Sequence, residues 1–111
     1  LSQLSRREFK SPEQIKEFYT DLSRILRAYY EGRFLFPAVE HTTTEIMQRL
    51  KTIQEVKPYR DETGDFLRKS DLVKFAKYNP GSINTEREIG LIQEIVESTR
   101  EKEEIEEGTS A

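Results

Sequence analysis

Residues 11–29 read Ser11-Pro12-Glu13-Gln14-Ile15-Lys16-Glu17-Phe18-Tyr19-Thr20-Asp21-Leu22-Ser23-Arg24-Ile25-Leu26-Arg27-Ala28-Tyr29, and this stretch decides the fold class. Ser11 suits an N-cap, Pro12 the first helical position, and Gln14 the third position of a capping box. Behind them Ile15, Phe18, Leu22, Ile25, Leu26 and Tyr29 follow at spacings of 3, 4, 3, 1 and 3, one apolar stripe of a helix. Gly32 offers a C-terminal stop. The spacing therefore predicts a helix over about 12–31.

Working outward, Arg33-Phe34-Leu35-Phe36-Pro37-Ala38-Val39 is too aromatic for a solvated loop and reads as a compact apolar connector folded over the core edge. Thr42 and Glu45 form a second capping box, and Ile46, Met47, Leu50 and Ile53 carry the next stripe. Pro58 ends that helix and can open a third at Tyr59, holding Phe66, Leu67, Leu72, Val73, Phe75 and Ala76. Gly64 weakens its start and Asp71 can restart a turn, so this region reads as one bent helix or two short ones. Asn79-Pro80-Gly81 is a turn, and Ser82 or Asn84 caps a last helix with Ile89, Ile92, Ile95, Val96 and Thr99. The expected fold is all-α: a small four-helix bundle-like domain with its compact connector between the first two helices. Residues 1–10 read as a lead-in, 11–100 as the helical domain, and 101–111 as an acidic, frayed or disordered tail.

Composition agrees. The chain has 111 residues, enough for one modest core, and its 34% hydrophobic against 35% charged residues require amphipathic elements with solvated outer faces. Five Gly and four Pro are few for a turn-rich β protein. The absence of Cys excludes disulfides and thiolate metal sites. No apolar run reaches the roughly 18–20 residues that span a bilayer. Residues 1–80 carry 15 Lys/Arg against 12 Asp/Glu, whereas 81–111 carry 3 against 9, for a net charge of −3. An acidic whole argues against general nucleic-acid binding, which depends on neutralising phosphates.

Catalytic patterns are missing. His41 is the sole imidazole; neither Ser70 nor the threonines 42–44 sit in a nucleophile elbow, and the threonines serve better as caps. One His cannot build a helical di-metal site, which needs two Glu-x-x-His motifs. Asp61-Glu62-Thr63-Gly64-Asp65 lacks the residue order of a calcium loop and reads as a solvated helix start. Glycines 32, 64, 81, 90 and 108 are too scattered for a phosphate loop. The expectation is a non-enzyme without cofactor, metal or evident small-molecule substrate.

The stretch Leu67–Tyr78 is unusual: four cations, one carboxylate and two aromatics in twelve residues. One reading is a core stripe with lysine stems along it and an Asp71–Lys74 contact. The other is a basic, aromatic-edged docking surface for an acidic partner or anionic lipid, using Arg68, Lys69, Lys74, Lys77 and Tyr78. Phe18, Leu22, Ile46, Leu72, Val73 and Phe75 are assigned to the core.

Asp71-Leu72-Val73-Lys74-Phe75-Ala76-Lys77-Tyr78 resembles the D-L-V-K-F-A-K-Y signature of a bacterial membrane-protein family, similar to the cytoplasmic C-terminal domain of the Bat-type aerotolerance proteins, BatD and its relatives. Residues 18–29 resemble that family's first helix, and Pro37-Ala38-Val39-Glu40-His41-Thr42-Thr43 its P-A-x-E-x-T-T link. The three segments fall in the family's order over about residues 15–100. The resemblance implies a domain on the cytoplasmic face of the bacterial inner membrane, following a single transmembrane helix. It implies a scaffold or assembly role, with a MoxR-type AAA ATPase or a von Willebrand A-domain protein as partner. It assigns no catalytic residues. Arg6, Arg7 and Lys10 fit a membrane-proximal cytoplasmic segment. The alternative is a helix-turn-helix-like nucleic-acid module using 68–78, against which the net acidity counts. An enzyme relying on carboxylates alone is the remaining rival.

Overall fold

The computed structural model describes residues 11–75 and 85–100. Within them the chain forms α1 (Pro12–Phe34), α2 (Thr43–Leu50), a 3-10 helix (Gln54–Tyr59), α3 (Arg60–Phe75) and α4 (Thr85–Thr99), with no strand among the described residues. The protein is an all-α helical bundle. The lead-in 1–10, the turn at Asn79-Pro80-Gly81, the caps Ser82 and Asn84, and the tail 101–111 lie outside the described residues.

α1 begins as its sequence predicts: Ser11 is extended and its side chain accepts from the Gln14 N–H at 3.2 Å, with Pro12 in the first turn. It runs past Gly32, however, and ends at Leu35, which adopts φ 59° and ψ 47° and donates its N–H to the Glu31 carbonyl. Phe34 holds the extra turn by packing its ring 5.9 Å from Tyr30. A left-handed leucine, 83% exposed, is strained by its Cβ while gaining little burial. Gly32 meanwhile spends backbone entropy inside a helix, with nothing within 4 Å of where a Cβ would stand. Gly32→Ala and Leu35→Gly are each expected to raise stability by about 0.5–1 kcal/mol. Urea melts of the two single variants and the double check this, with coupling expected in the double because both positions lie in one helical turn.

The core is built on α1. Ile15, Phe18, Tyr19, Leu22, Leu26 and Tyr30 face Ile46 and Leu50 of α2, Val56 of the 3-10 helix, Phe66, Leu67 and Val73 of α3, and Ile89, Ile92 and Ile95 of α4. Two tyrosines are thus fully enclosed, which the apolar stripe did not predict. Each hydroxyl has a partner, as burial demands. Tyr19 donates to Glu88 at 2.6 Å and Tyr30 pairs with Thr63 Oγ1 at 2.9 Å. Burial raises the Tyr30 phenol to about 12, partly offset by the bond to Thr63. Ile25, expected on the stripe, lies at its border and is 39% exposed.

The connector is half buried as expected: Phe36 and Ala38 enter the core, while Leu35 and Val39 face out. Successive turns close it through Ala38 N–H to Phe36 O, Glu40 N–H to Pro37 O and His41 N–H to Ala38 O. The Thr42–Glu45 capping box is present with both bonds, at 3.2 and 2.8 Å. α2 stops at Leu50, short of Ile53, because Arg60 turns back to collect its free carbonyls. Its guanidinium donates to Leu50 O, Lys51 O and Ile53 O. Pro58 sits inside the 3-10 helix, and the α-helix proper starts at Arg60.

α3 is one continuous helix, neither restarted at Asp71 nor broken at Gly64. Gly64 is buried where α2 crosses; a Cβ there would stand 3.1 Å from Met47 Cε and 2.9 Å from Arg68 Nη1. The assignment of Leu72 and Phe75 to the core is overturned: they are 49% and 77% exposed. The buried face of α3 is set by Thr63, Phe66, Leu67, Ser70 and Val73. At about 100° per residue, Leu72 then falls about 180° from Thr63, and Phe75 about 120°. Hydropathy ranked them as core, but phase along the helix puts them outside.

Candidate docking cleft

Among the cations singled out in 68–78, Arg68, Lys69 and Lys74 leave α3 in different directions, and Lys77 and Tyr78 lie outside the described residues. Arg68 stands on the exposed face, 3.5 Å from Asp65. Lys69 turns inward. Its Nζ is 3.2 Å from Glu88 Oε2, the oxygen that accepts from the Tyr19 hydroxyl, and 5.9 Å from the Tyr19 ring centroid. Lys69 therefore joins α3 to α1 and α4, a structural task. The described cations consequently share no single basic face of the kind a groove-reading helix presents.

Lys74 points the other way, into an open cleft of about 560 Å³ with three walls. α1 supplies Thr20, Ser23, Arg24 and Arg27; the connector supplies Val39 through Thr42 and the start of α2 Thr43; the last turn of α3 supplies Asp71, Lys74 and Phe75. The α1 residues fall at spacings of 3, 1 and 3, the polar flank of the same helix whose other face fills the core. Tertiary bonds hold the walls together. Arg27 donates through Nε to Ser23 Oγ at 3.1 Å and through Nη1 to the His41 carbonyl. Thr43 Oγ1 donates to Asp71 Oδ2 at 2.6 Å, joining the start of α2 to the end of α3. The His41 ring lies 5.9 Å from Phe36, and its Nδ1 is buried without a hydrogen-bond partner among the described residues.

Three cations, Arg24, Arg27 and Lys74, line the cleft. Burial lowers the Lys74 ammonium from its usual range, and neighbouring Arg27 and Arg24 lower it further, outweighing an opposing pull from Asp71. Burial likewise lowers Arg27, with Asp71 acting against it. Arg24 and Lys74 have no ion-pair partner among the described residues, although Lys74 lies 5.2 Å from the Phe75 ring centroid. Glu40 and Asp71 are the carboxylates of the lining.

Sequence reasoning found Lys74 but missed Arg24, Arg27 and the threonines of the connector as parts of one site. The i, i+3 pair of arginines beside a core stripe was the available signal, but nothing local says that residues 39–43 and 71–75 close over it.

No family model matches the chain, and neither a curated protein nor a solved structure matches it. Among the described residues no helix is long and apolar enough to cross a membrane, and no group of three or more His, Asp or Glu could hold a metal ion.

Proposed function

We propose that this chain is a non-catalytic protein-binding domain that docks through the exposed end of α3. One observation carries the reading: Leu72 and Phe75, two large apolar side chains one helical turn apart, face outward at 49% and 77% exposure, with the Lys74 ammonium 5.2 Å from the Phe75 ring. Apolar side chains set among cations are what a docking surface requires, since the apolar atoms supply affinity and the rim charges orient the partner. The likeness of 71–78 to the BatD-type signature supports the same assignment, because the exposed pair lies inside those residues. It further suggests placement on the cytoplasmic face of a bacterial inner-membrane protein. The partner it suggests is a MoxR-type ATPase or a von Willebrand A-domain protein.

The test is the double variant Leu72→Gln/Phe75→Gln. Both replacements sit outside the core and keep helix propensity, so stability is expected to change by less than about 1 kcal/mol. Capture of the ATPase or A-domain protein from lysate of the source organism is expected to fall at least about tenfold, as loss of two anchors implies. Equal capture by variant and wild type would move the interface elsewhere.

A further inference from the structure

We infer that the cleft between α1, the connector and the end of α3 receives an acidic segment of the partner protein, with Arg24 and Lys74 taking its carboxylates and Val39 and Phe75 flanking an apolar side chain between them. The inference rests on the reading of the chain as a protein-binding domain and adds to it a site and a partner chemistry.

The argument begins with what is already satisfied. Arg27 spends its guanidinium on Ser23 and the His41 carbonyl, which fixes the connector against α1. Asp71 is held by the Thr43 hydroxyl at 2.6 Å and forms no ion pair with Lys74. Arg24 and Lys74 remain, from two different helices, without an ion-pair partner among the described residues. Lys74 is half-buried and Arg24 exposed at the same cleft, and like charges set close together disfavour one another until an anion joins them. A carboxylate between them relieves both. Glu40, exposed on the rim, leaves one side of the cleft negative and so gives an incoming acidic chain a direction.

The shape selects among anions. A compact phosphate needs convergent donors, usually free backbone N–H groups or a bidentate arginine. Here the Thr42–Glu45 capping box takes the N–H groups of Thr42 and Glu45 at the α2 N-terminus, leaving only those of Thr43 and Thr44, and Arg27 is already engaged. The cleft edges also carry apolar groups: Val39 is 44% exposed and Phe75 77%. Spaced carboxylates around an apolar side chain match this layout, and a peptide provides both. The opening of about 560 Å³ lies within the range of ligand sites. Arg27 is a positioning residue in this arrangement.

The test is a titration of the isotopically labelled chain, followed by amide resonances, with the peptide DEDLEDFEE and its uncharged counterpart NQNLQNFQQ. Saturable shifts at Arg24, Arg27, Thr43, Lys74 and Phe75 are expected from the acidic peptide and none from the uncharged one. Arg24→Gln/Lys74→Gln, shown by thermal melting to be folded, should weaken binding about tenfold. Three results would overturn the proposal: no shift in the cleft at about millimolar peptide, equal shifts from both peptides, or displacement of the acidic peptide by an equal concentration of inorganic phosphate. If Leu72→Gln/Phe75→Gln loses its partner while Arg24→Gln/Lys74→Gln keeps it, the docking face stands and the acidic-segment inference falls. If wild type captures neither candidate partner, the protein-binding reading itself falls, whatever the peptides do.

Discussion

Tyr19→Ala is expected to lower the unfolding free energy by about 3–5 kcal/mol, and Tyr19→Phe by about 1–3 kcal/mol. The two variants separate two contributions of one side chain. The ring is enclosed by the core, edge-on to Phe18 at 5.3 Å and tilted against Phe66 at 6.1 Å. Alanine removes all of that and leaves a cavity, because neighbours on three helices cannot collapse into it together. Phenylalanine keeps the packing but deletes the 2.6 Å donor to Glu88. The carboxylate of Glu88, on a buried residue, is then left with Lys69 alone among the described residues, and an undersatisfied buried acceptor costs more than the bond itself was worth. Chemical denaturation of both variants checks the order. A Tyr19→Phe variant as stable as wild type would mean the hydroxyl contributes nothing, and the buried network would not be the structural joint described above.

Lys69→Glu should follow the same logic. It sets a second carboxylate beside Glu88, whose side chain is 11% exposed, while Lys69 itself is 44% exposed. The half-open position tempers the penalty, so the expected loss is about 2–3 kcal/mol. The swap Lys69→Glu/Glu88→Lys should recover more than half, since the pair regains opposite charges and the Tyr19 hydroxyl can accept from a lysine. Lys74→Glu should change stability by less than about 1 kcal/mol, because Arg24 and Arg27 attract the new carboxylate while Asp71 repels it. Thermal melts of the four proteins decide the matter. A shift of about 4–8 °C per kcal/mol makes the contrast measurable in a domain of this size. A Lys69→Glu variant as stable as wild type would return Lys69 to the free surface. The contrast also bears on any binding experiment: a charge reversal at Lys69 that lost a partner would report unfolding, whereas one at Lys74 would report the interface.

The elements that sequence predicted well are those whose causes are local. Ser11-Pro12 opens α1 and Thr42–Glu45 opens α2 because a cap is a contact across three residues, visible as composition at fixed spacing. The end of α1 was misread for a complementary reason. Gly32 is the better left-handed residue, yet Arg33, which donates to the Thr99 carbonyl at 2.6 Å and pairs with Glu55, is a tertiary anchor that carries the helix on to Leu35. Leu72 and Phe75 were misplaced because hydropathy alone does not give helical phase. That phase became clear only once Thr63 and Ser70, two polar residues, proved to lie on the buried face. The cleft was least legible of all. Its walls come from residues 20–27, 39–43 and 71–75, brought together by the Arg27–His41 and Thr43–Asp71 bonds, and no window of sequence contains that geometry.

The most direct test of the central claim is photo-crosslinking from position 75. Benzoyl-phenylalanine would be incorporated there in the protein as its organism makes it, with position 48 on the exposed side of α2 as the reference site. The account predicts a covalent adduct to a MoxR-type ATPase or an A-domain protein from position 75 and none from position 48. An adduct to that partner from position 48 with none from position 75 would contradict it.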